Sequence, residues 1–325
     1  MASFKYKNIY IKDYISLVGP LEKDSRLKHH DLAMDDYYFE EKTFEQAEVK
    51  MQKKVIEKIL KKNKLKANNV DLLVGGDLSN QISITSYNAK NFAIPYLGLY
   101  SACATFPESL IIGANFLQNN NCQRVLTITS SHNLTAEKQF RYPVEYGAPK
   151  PHTVTFTATG AISTLLSKTP SKLRIESSTI GSVVELGITD ANNMGAVMAP
   201  AAAHTLKTHL DDLKRTVDYY DLILTGDLGC VGQNILKEYV KKSYNIDLKN
   251  HQDAGCELFL KSQETYAGGS GPVCLPLVLF NKILKQKKYA KILIIGTGSL
   301  HSVAFVNQHQ SIPAIAHAIS LEVLT

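Results

Sequence analysis

Asp71-Leu-Leu-Val-Gly-Gly-Asp77-Leu78 recurs 150 residues later as Asp221-Leu-Ile-Leu-Thr-Gly-Asp227-Leu228. Two further echoes keep the same order. Arg124-Val-Leu-Thr-Ile-Thr-Ser-Ser-His132 returns 167 residues on as Lys291-Ile-Leu-Ile-Ile-Gly-Thr-Gly-Ser299, and Tyr100-Ser-Ala-Cys103 returns 166 residues on as Tyr266-Ala-Gly-Gly269. Three echoes in one order indicate two copies of a half-domain, and the lengthening offset indicates an insertion in the second copy. A duplicated α/β unit sets equivalent loops of both copies around one crevice, so chemistry is sought first at equivalent loop positions.

Around these runs the chain reads as strands alternating with helices. Thr43-Phe-Glu-Gln46 has capping-box spacing, and Ala47, Met51, Val55 and Ile59 recur every fourth residue, which predicts an amphipathic helix over 43–62. Strands are expected at 70–75, 94–100, 124–129 and within 153–167. A second capped helix is expected from Thr105-Phe-Pro-Glu108, where the proline suits a first turn. Residues 20–42 read as an exposed charged loop. Residues 168–205, with Met194-Gly-Ala-Val-Met-Ala-Pro200-Ala-Ala-Ala203, read as the linker between copies. The second copy is expected to supply strands at 221–226, 291–296 and 312–319, helices at 230–242 and 272–285, and a Gly-rich turn at 268–271. Apolar strand runs between helices indicate layered α/β architecture with covered sheets. The halves are expected at 1–170 and 171–325, fused into one body.

The 325 residues are 44% hydrophobic and 20% charged, ordinary for a soluble globular chain. No apolar run approaches the ~20 residues that span a bilayer, and Met-Ala-Ser-Phe-Lys-Tyr-Lys lacks the apolar core of a secretory signal. Five cysteines without C-x-x-C spacing argue against a disulfide framework or a zinc site and for a reducing cytosolic compartment. The net charge of +6 gathers at Lys50, Lys53, Lys54, Lys58, Lys61, Lys62, Lys64 and Lys66, and at Lys282, Lys285, Lys287 and Lys288. Solvated helix faces account for such runs, and attraction to an anionic surface or ligand is the alternative. Nothing interleaves aromatics with the lysines as nucleic-acid binding would require.

Cys103 follows a strand and precedes a helix, where the helix dipole and backbone N–H groups favour thiolate. It reads either as a nucleophile or as a small buried thiol. His132 and Asn133 close a strand and either hydrogen-bond a ligand in the crevice or are satisfied by loop backbone. Arg141 could clamp a carboxylate bidentately, or is a surface arginine. Asp77 and Asp227 end equivalent strands, and Gly268-Gly269-Ser270-Gly271 is either an anion cradle or a tight turn.

The order of these parts resembles the thiolase-like superfamily, in which two βαβαβαββ halves form a five-layered αβαβα body. In its condensing enzymes a Cys opens a central helix of the first half, and a His and an Asn come from the second. Tyr-Ser-Ala-Cys103-Ala matches the nucleophile's place. Where the Asn turn is expected the chain has Gly268-Gly269-Ser270-Gly271, and where the His is expected it has Thr225-Gly226-Asp227-Leu228. The resemblance therefore implies a degenerate site in which Cys103 is vestigial.

Longer segments carry a closer resemblance: Gly76-Asp-Leu-Ser-Asn80-Gln81, residues 129–143, Glu185-Leu-Gly-Ile-Thr-Asp190, Met198-Ala-Pro-Ala-Ala-Ala203 and Tyr266-Ala-Gly-Gly-Ser-Gly271. Through them the chain resembles the stage V sporulation AD family. That implies a protein that is not an enzyme and binds dipicolinic acid, alone or as its calcium chelate, with no cofactor and no metal ligands of its own. It implies work with other stage V sporulation A membrane proteins, at the cytoplasmic face of, or peripheral to, the spore inner membrane, in dipicolinate uptake during sporulation and release in germination. A homodimer is among the alternatives. The ligand contacts expected are Asp77, Asn80, Cys103, His132, Asn133, Arg141, Asp227, Gly269 and Ser270. The competing readings are an acyl-transfer or condensing enzyme that uses Cys103, and a scaffold that binds no small ligand.

Overall fold

The computed structural model describes residues 2–141 and 146–324, so Tyr142 and Pro143 of the 129–143 segment lie outside the described residues. Ten strands form the main path of one sheet. They are β1 (Ser3–Val18), β2 (Leu72–Gly76), β3 (Tyr96–Gly98), β4 (Arg124–Ser131), β5 (Gly160–Ser167), β6 (Leu173–Thr179), β7 (Leu222–Thr225), β8 (His251–Asp253), β9 (Lys291–Ser299) and β10 (Ala314–Val323). The spatial order is β3-β2-β4-β5-β1-β6-β10-β9-β7-β8. Raising each number on one side of the β1–β6 seam by five reproduces the order on the other. β2 pairs in parallel with β3 and β4, as β7 does with β8 and β9, while β5 and β10 close their sides antiparallel. The duplication is thus visible as topology, with Asp77 and Asp227 following equivalent strands.

The first aspartate of each echo has one job in both copies. Asp71 Oδ2 accepts the backbone N–H groups of Gln123 and Arg124 at 2.7 and 2.9 Å, and Asp221 Oδ2 accepts those of Ala290 and Lys291 at 2.7 and 2.8 Å. Each pins the start of the neighbouring strand and so sets its register.

The helices that cover and divide the sheet are α1 (Phe44–Lys62), α2 (Ser83–Ala89), α3 (Thr105–Gln118), α4 (Asn133–Phe140), α5 (Met194–Leu213), α6 (Gly229–Tyr244), α7 (Ala254–Leu258) and α8 (Cys274–Val278). Composition decides their layer. α3 and α8 are apolar nearly all round, as helices buried on every side are, and their Phe106, Leu110, Leu275 and Leu277 share one core with residues from both halves of the sheet. α1 carries lysines on one face and buries Met51, Val55 and Ile59 against the outer face of the first half. α5 and α6 do the same on the second half. Alternation along the strands feeds both sides: Leu222 and Leu224 point to the central core and Ile223 to the outer one. The result is helix, half-sheet, helix pair, half-sheet, helix.

The helix expected over 43–62 is α1, with Thr43 Oγ1 accepting the Gln46 N–H at 3.2 Å. Other expectations are corrected. Residues 194–203 belong to a helix of 20 residues, α5, rather than a linker. Its alanines are strong helix formers, and Gly195 allows α6 to approach so closely that a Cβ there would lie 2.8 Å from Gly232 Cα. Within 20–42, Glu22 and Met34 are fully buried rather than exposed. Thr105 does not cap α3, because its hydroxyl donates to Ala102 O at 2.8 Å one turn earlier. The 16-residue β1 carries no echo and was not anticipated.

Cys230 and Cys256 are joined in a disulfide, against the expectation from cysteine spacing. The fold brings the starts of α6 and α7 onto one carboxylate. Asp253 Oδ1 accepts Gly229 N–H at 2.9 Å and Cys256 N–H at 3.2 Å, which leaves the two Cα atoms 4.8 Å apart. Among the described residues no helix is long and apolar enough to cross a membrane.

Candidate functional site

Cys103 sits in a single 3-10 turn, Ala102–Ala104, that leads into α3. The turn is tight: Ala104 N–H donates to Ser101 O at 2.9 Å, and Ala102 holds φ +50°. That left-handed backbone is costly for a residue with a Cβ and persists only where its surroundings impose it. β9 packs directly on this turn, since a Cβ on Gly298 would lie 2.1 Å from Ser101 O. The second copy's strand therefore needs glycine where the first has Ser131, because the first copy's turn packs onto it.

Cys103 opens onto a cavity of about 60 Å³ at the junction of the two copies. Tyr100, Phe140, Arg141 and Thr157 line it from the first, and Met194, Met198, Ser270, Ser299 and His301 from the second. That is room for roughly four or five waters at about 10–15 Å³ apiece. Two wider clefts, of about 700 and 500 Å³, flank it and share Phe140 and His301 with it. These two rings, 5.6 Å apart and tilted by 36°, form the common wall.

Burial dominates the electrostatics. Part of the Cys103 side chain reaches the cavity, but its sulfur is enclosed by protein. Burial pushes the thiol well above its ordinary value, and the Asp227 carboxyl adds to this. The Gly271 N–H and the Arg141 charge pull the other way without reversing it. The dipole argument for thiolate is thereby overturned: desolvation outweighs it. His301 is lowered by burial and then by Arg141, so it is neutral at pH 7. Arg141 Nη1 donates to Glu137 Oε1, and Glu137 Oε2 accepts Lys150 Nζ at 2.8 Å. Both cations thus share one carboxylate, and of these three groups only Arg141 lines the cavity itself.

Among the described residues, three buried polar atoms of the lining have no partner: Arg141 Nε, Ser299 Oγ and His301 Nδ1. Ser270 Oγ is already engaged, accepting from Thr155 Oγ1 at 2.9 Å.

Of the residues expected from sequence, the structure brings Cys103, Arg141 and Ser270 onto one cavity and places Asn80 on the adjoining wider cleft. His132 is elsewhere, which corrects the expectation that it stands beside Cys103. Its Nε2 lies 2.8 Å from Tyr37 O, and its ring stacks on Phe44 at 5.3 Å. Burial lowers it to about 4, so it is a neutral core residue. Asn133 is spent on the main chain around Thr157 and on the Thr159 hydroxyl.

Asp77 closes the turn into α2. It accepts Ser79 N–H at 2.8 Å, Thr85 N–H at 2.8 Å and the Thr85 hydroxyl at 2.6 Å. Asp227 is fully buried, and burial, then Asp253, push it well up against the weaker lowering pull of the Thr297 N–H. Gly269 pairs with Phe156 in a two-residue bridge, and a Cβ there would meet Cys274 Sγ at 3.2 Å. His301 was missed by sequence reasoning. It lies just past the echo that ends at Ser299, and no counterpart signal flagged it.

A surface groove of about 780 Å³ between α1 and α2 lies away from Cys103 and mixes lysines with glutamates.

Residues 2–322 match the family model described as Stage V sporulation protein AD. The chain is 41% identical over 319 residues to Stage V sporulation protein AD of Bacillus subtilis (strain 168), covering 97% of this chain and 94% of that protein. Among solved structures it is similar to a single-residue variant of Xanthomonas campestris OleA, with TM-score 0.64 and 12% identity over 98% of this chain and 99% of the other. It is also similar to 3-oxoacyl-[acyl-carrier-protein] synthase III from Aquifex aeolicus VF5, with TM-score 0.55 and 12% identity over 97% of each. At such identity these structures establish the thiolase-like condensing-enzyme fold and nothing about chemistry.

Proposed function

The chain belongs to the stage V sporulation protein AD family, and from that premise we propose that it binds dipicolinic acid, in the cavity between Cys103, Arg141 and His301, rather than catalysing a condensation. The observation that most supports this reading is the trio of unpartnered polar atoms on that cavity, Arg141 Nε, Ser299 Oγ and His301 Nδ1. An unmade hydrogen bond of a buried group costs about 1–3 kcal/mol, and a planar dianion would satisfy several at once. Its ring would lie against Met194, Met198 and Phe140, in the usual mix of apolar walls and few polar anchors. The cavity's small volume requires the Phe140–His301 wall to turn aside on entry. Calcium, if it enters, would come on the ligand's own oxygens and nitrogen. Among the described residues no group of three or more His, Cys, Asp or Glu side chains is placed to hold a metal ion. The setting we propose is peripheral to the spore inner membrane, beside the other stage V sporulation A proteins, serving dipicolinate uptake and release.

Calorimetry with dipicolinic acid, with and without calcium, tests this. Saturable binding is expected, weakened at least tenfold in Arg141→Gln and in His301→Ala, since a charge-assisted bond contributes about 1.5–3 kcal/mol. No binding, or unchanged affinity in both variants, refutes the assignment.

One observation favours a second reading: His301 shares the cavity with Cys103, so a thiol and a base stand in one place. Incubation with acyl-CoA followed by mass spectrometry decides. The raised thiol predicts no adduct, and an acyl group on Cys103 would establish acyl transfer.

A further inference from the structure

The cavity opens at the carboxyl ends of the parallel strands, and the opposite pole has a different character. β9 runs from Lys291 at that pole to Ser299 at the cavity, a span of about 26 Å at ~3.3 Å per residue. At its start lies a groove of about 630 Å³, between β1, the turn from β5 to β6, the loop ahead of β9 and the end of β10. A register slip between Ile11 and Asp13 leaves Lys12 unmatched in the ladder with β5. Lys12, Lys172, Lys287 and Lys288 line the groove. Lys62 and Lys285 stand over the Tyr14 ring in its wall, at 5.9 and 5.8 Å. Against these six lysines there is one lining carboxylate, Asp13, and Lys62 already holds it at 2.6 Å. Among the described residues, Lys12, Lys172, Lys285, Lys287 and Lys288 have no acidic side chain within ion-pair distance. The floor is apolar, formed by Ile283, Leu284, Val323 and Leu324.

We propose that this lysine-rimmed groove docks the protein on an anionic phospholipid surface. Its cations are ammonium point charges drawn from four separate segments at one end of the central strands, the arrangement that senses an extended field rather than one bidentate ligand. The apolar floor between them suits the boundary beneath phosphate headgroups. Docked this way, the protein holds its cavity about a strand's length from the lipid. The inference stands independently of what fills the cavity.

Sedimentation with vesicles of phosphatidylcholine, with or without phosphatidylglycerol, tests it. Binding is expected only to the anionic vesicles and falls steeply with salt. Each lysine near an anionic surface contributes about a fivefold factor, so the joint variant Lys12→Glu, Lys172→Glu, Lys287→Glu and Lys288→Glu, which also adds four repelled carboxylates, weakens binding by at least several-hundred-fold. A control of equal charge change, Lys53→Glu, Lys54→Glu, Lys90→Glu and Lys261→Glu, is expected to keep it within a few-fold. Circular dichroism and thermal melting of both variants establish that each is folded. Equal loss in both variants shows a net-charge effect and overturns the proposal, as does absence of binding to anionic vesicles. Full competition by soluble glycerol phosphate would make the groove a small-anion site, and tighter binding of polyglutamate than of vesicles would make it a protein-docking site. Either result overturns it.

Discussion

Replacing Glu22 by Gln should stabilise the protein at neutral and alkaline pH, and increasingly so as pH rises. Glu22 is fully buried. Oε1 accepts Thr159 N–H at 3.0 Å, and Oε2 has no partner. Burial raises its pKa from 4.5 to about 8, against the lowering effect of that backbone bond. Because the folded value lies above the unfolded one, the native state holds a proton that the unfolded chain has released throughout that window. Stability therefore falls as pH rises from 4.5 to 8, by about 1.36 kcal/mol per unit. At pH 7 the accumulated loss is about 3 kcal/mol, and near pH 8 and above it approaches about 5 kcal/mol. Glutamine retains the acceptor for Thr159 and cannot ionise, while its amide sets two donors where the protonated carboxyl sets one, a cost that does not change with pH. Urea unfolding of parent and variant at pH 5, 7 and 8.5 measures the difference directly, and other titrating groups cancel in it. A gap that stays constant across pH, or a variant less stable than the parent at pH 8.5, would refute the reasoning.

Glu176 should behave oppositely. Burial pushes it up, but Tyr219, Ser320, Arg215 and Lys291 outweigh that and hold it at about 2. The folded value is depressed, so the contribution is present above pH 4.5 and lost as pH falls through 2. Glu176→Gln should cost about 2–3 kcal/mol at pH 7 by urea unfolding, with parent and variant converging in acid. Reducing Cys230–Cys256 reopens a loop spanning 26 residues, which by loop entropy costs about 3.5 kcal/mol. Calorimetric melting with and without reductant should show a drop of several degrees, absent in Cys230→Ser/Cys256→Ser. His132→Ala should lower stability by about 2–4 kcal/mol through lost packing while leaving dipicolinate affinity within about twofold, and a large affinity loss in a folded variant would return His132 to the site.

The sequence by itself determined the duplication, the layering and the place of Cys103. Repeated apolar runs ending in Gly-Asp can only be buried strands in equivalent positions. A helix as apolar as α3, with Glu108 its single charged residue, suits a place between layers, while one with a lysine face, as α1 is, suits the outside. These are local patterns, and burial of apolar surface follows from them directly. Even the Asp71 and Asp221 pins were present as the first letters of the echo.

What only the tertiary structure decided is which polar groups meet. His132 ends a strand whose side chains alternate between a crevice and an outer helix layer, and only the packing of Tyr37 and Phe44 turned it outward. Arg141 and His301 reach one cavity from opposite copies. Whether Cys103 is thiolate or thiol was a contest between a dipole that sequence reveals and a desolvation that it does not, and desolvation won. The disulfide depended on Asp253 drawing two helix starts together, and the basic groove on four segments that meet at one end of the central strands. Short-range apolar periodicity survives in one dimension, whereas the partners of a buried charge are fixed only by contacts between residues far apart in the chain.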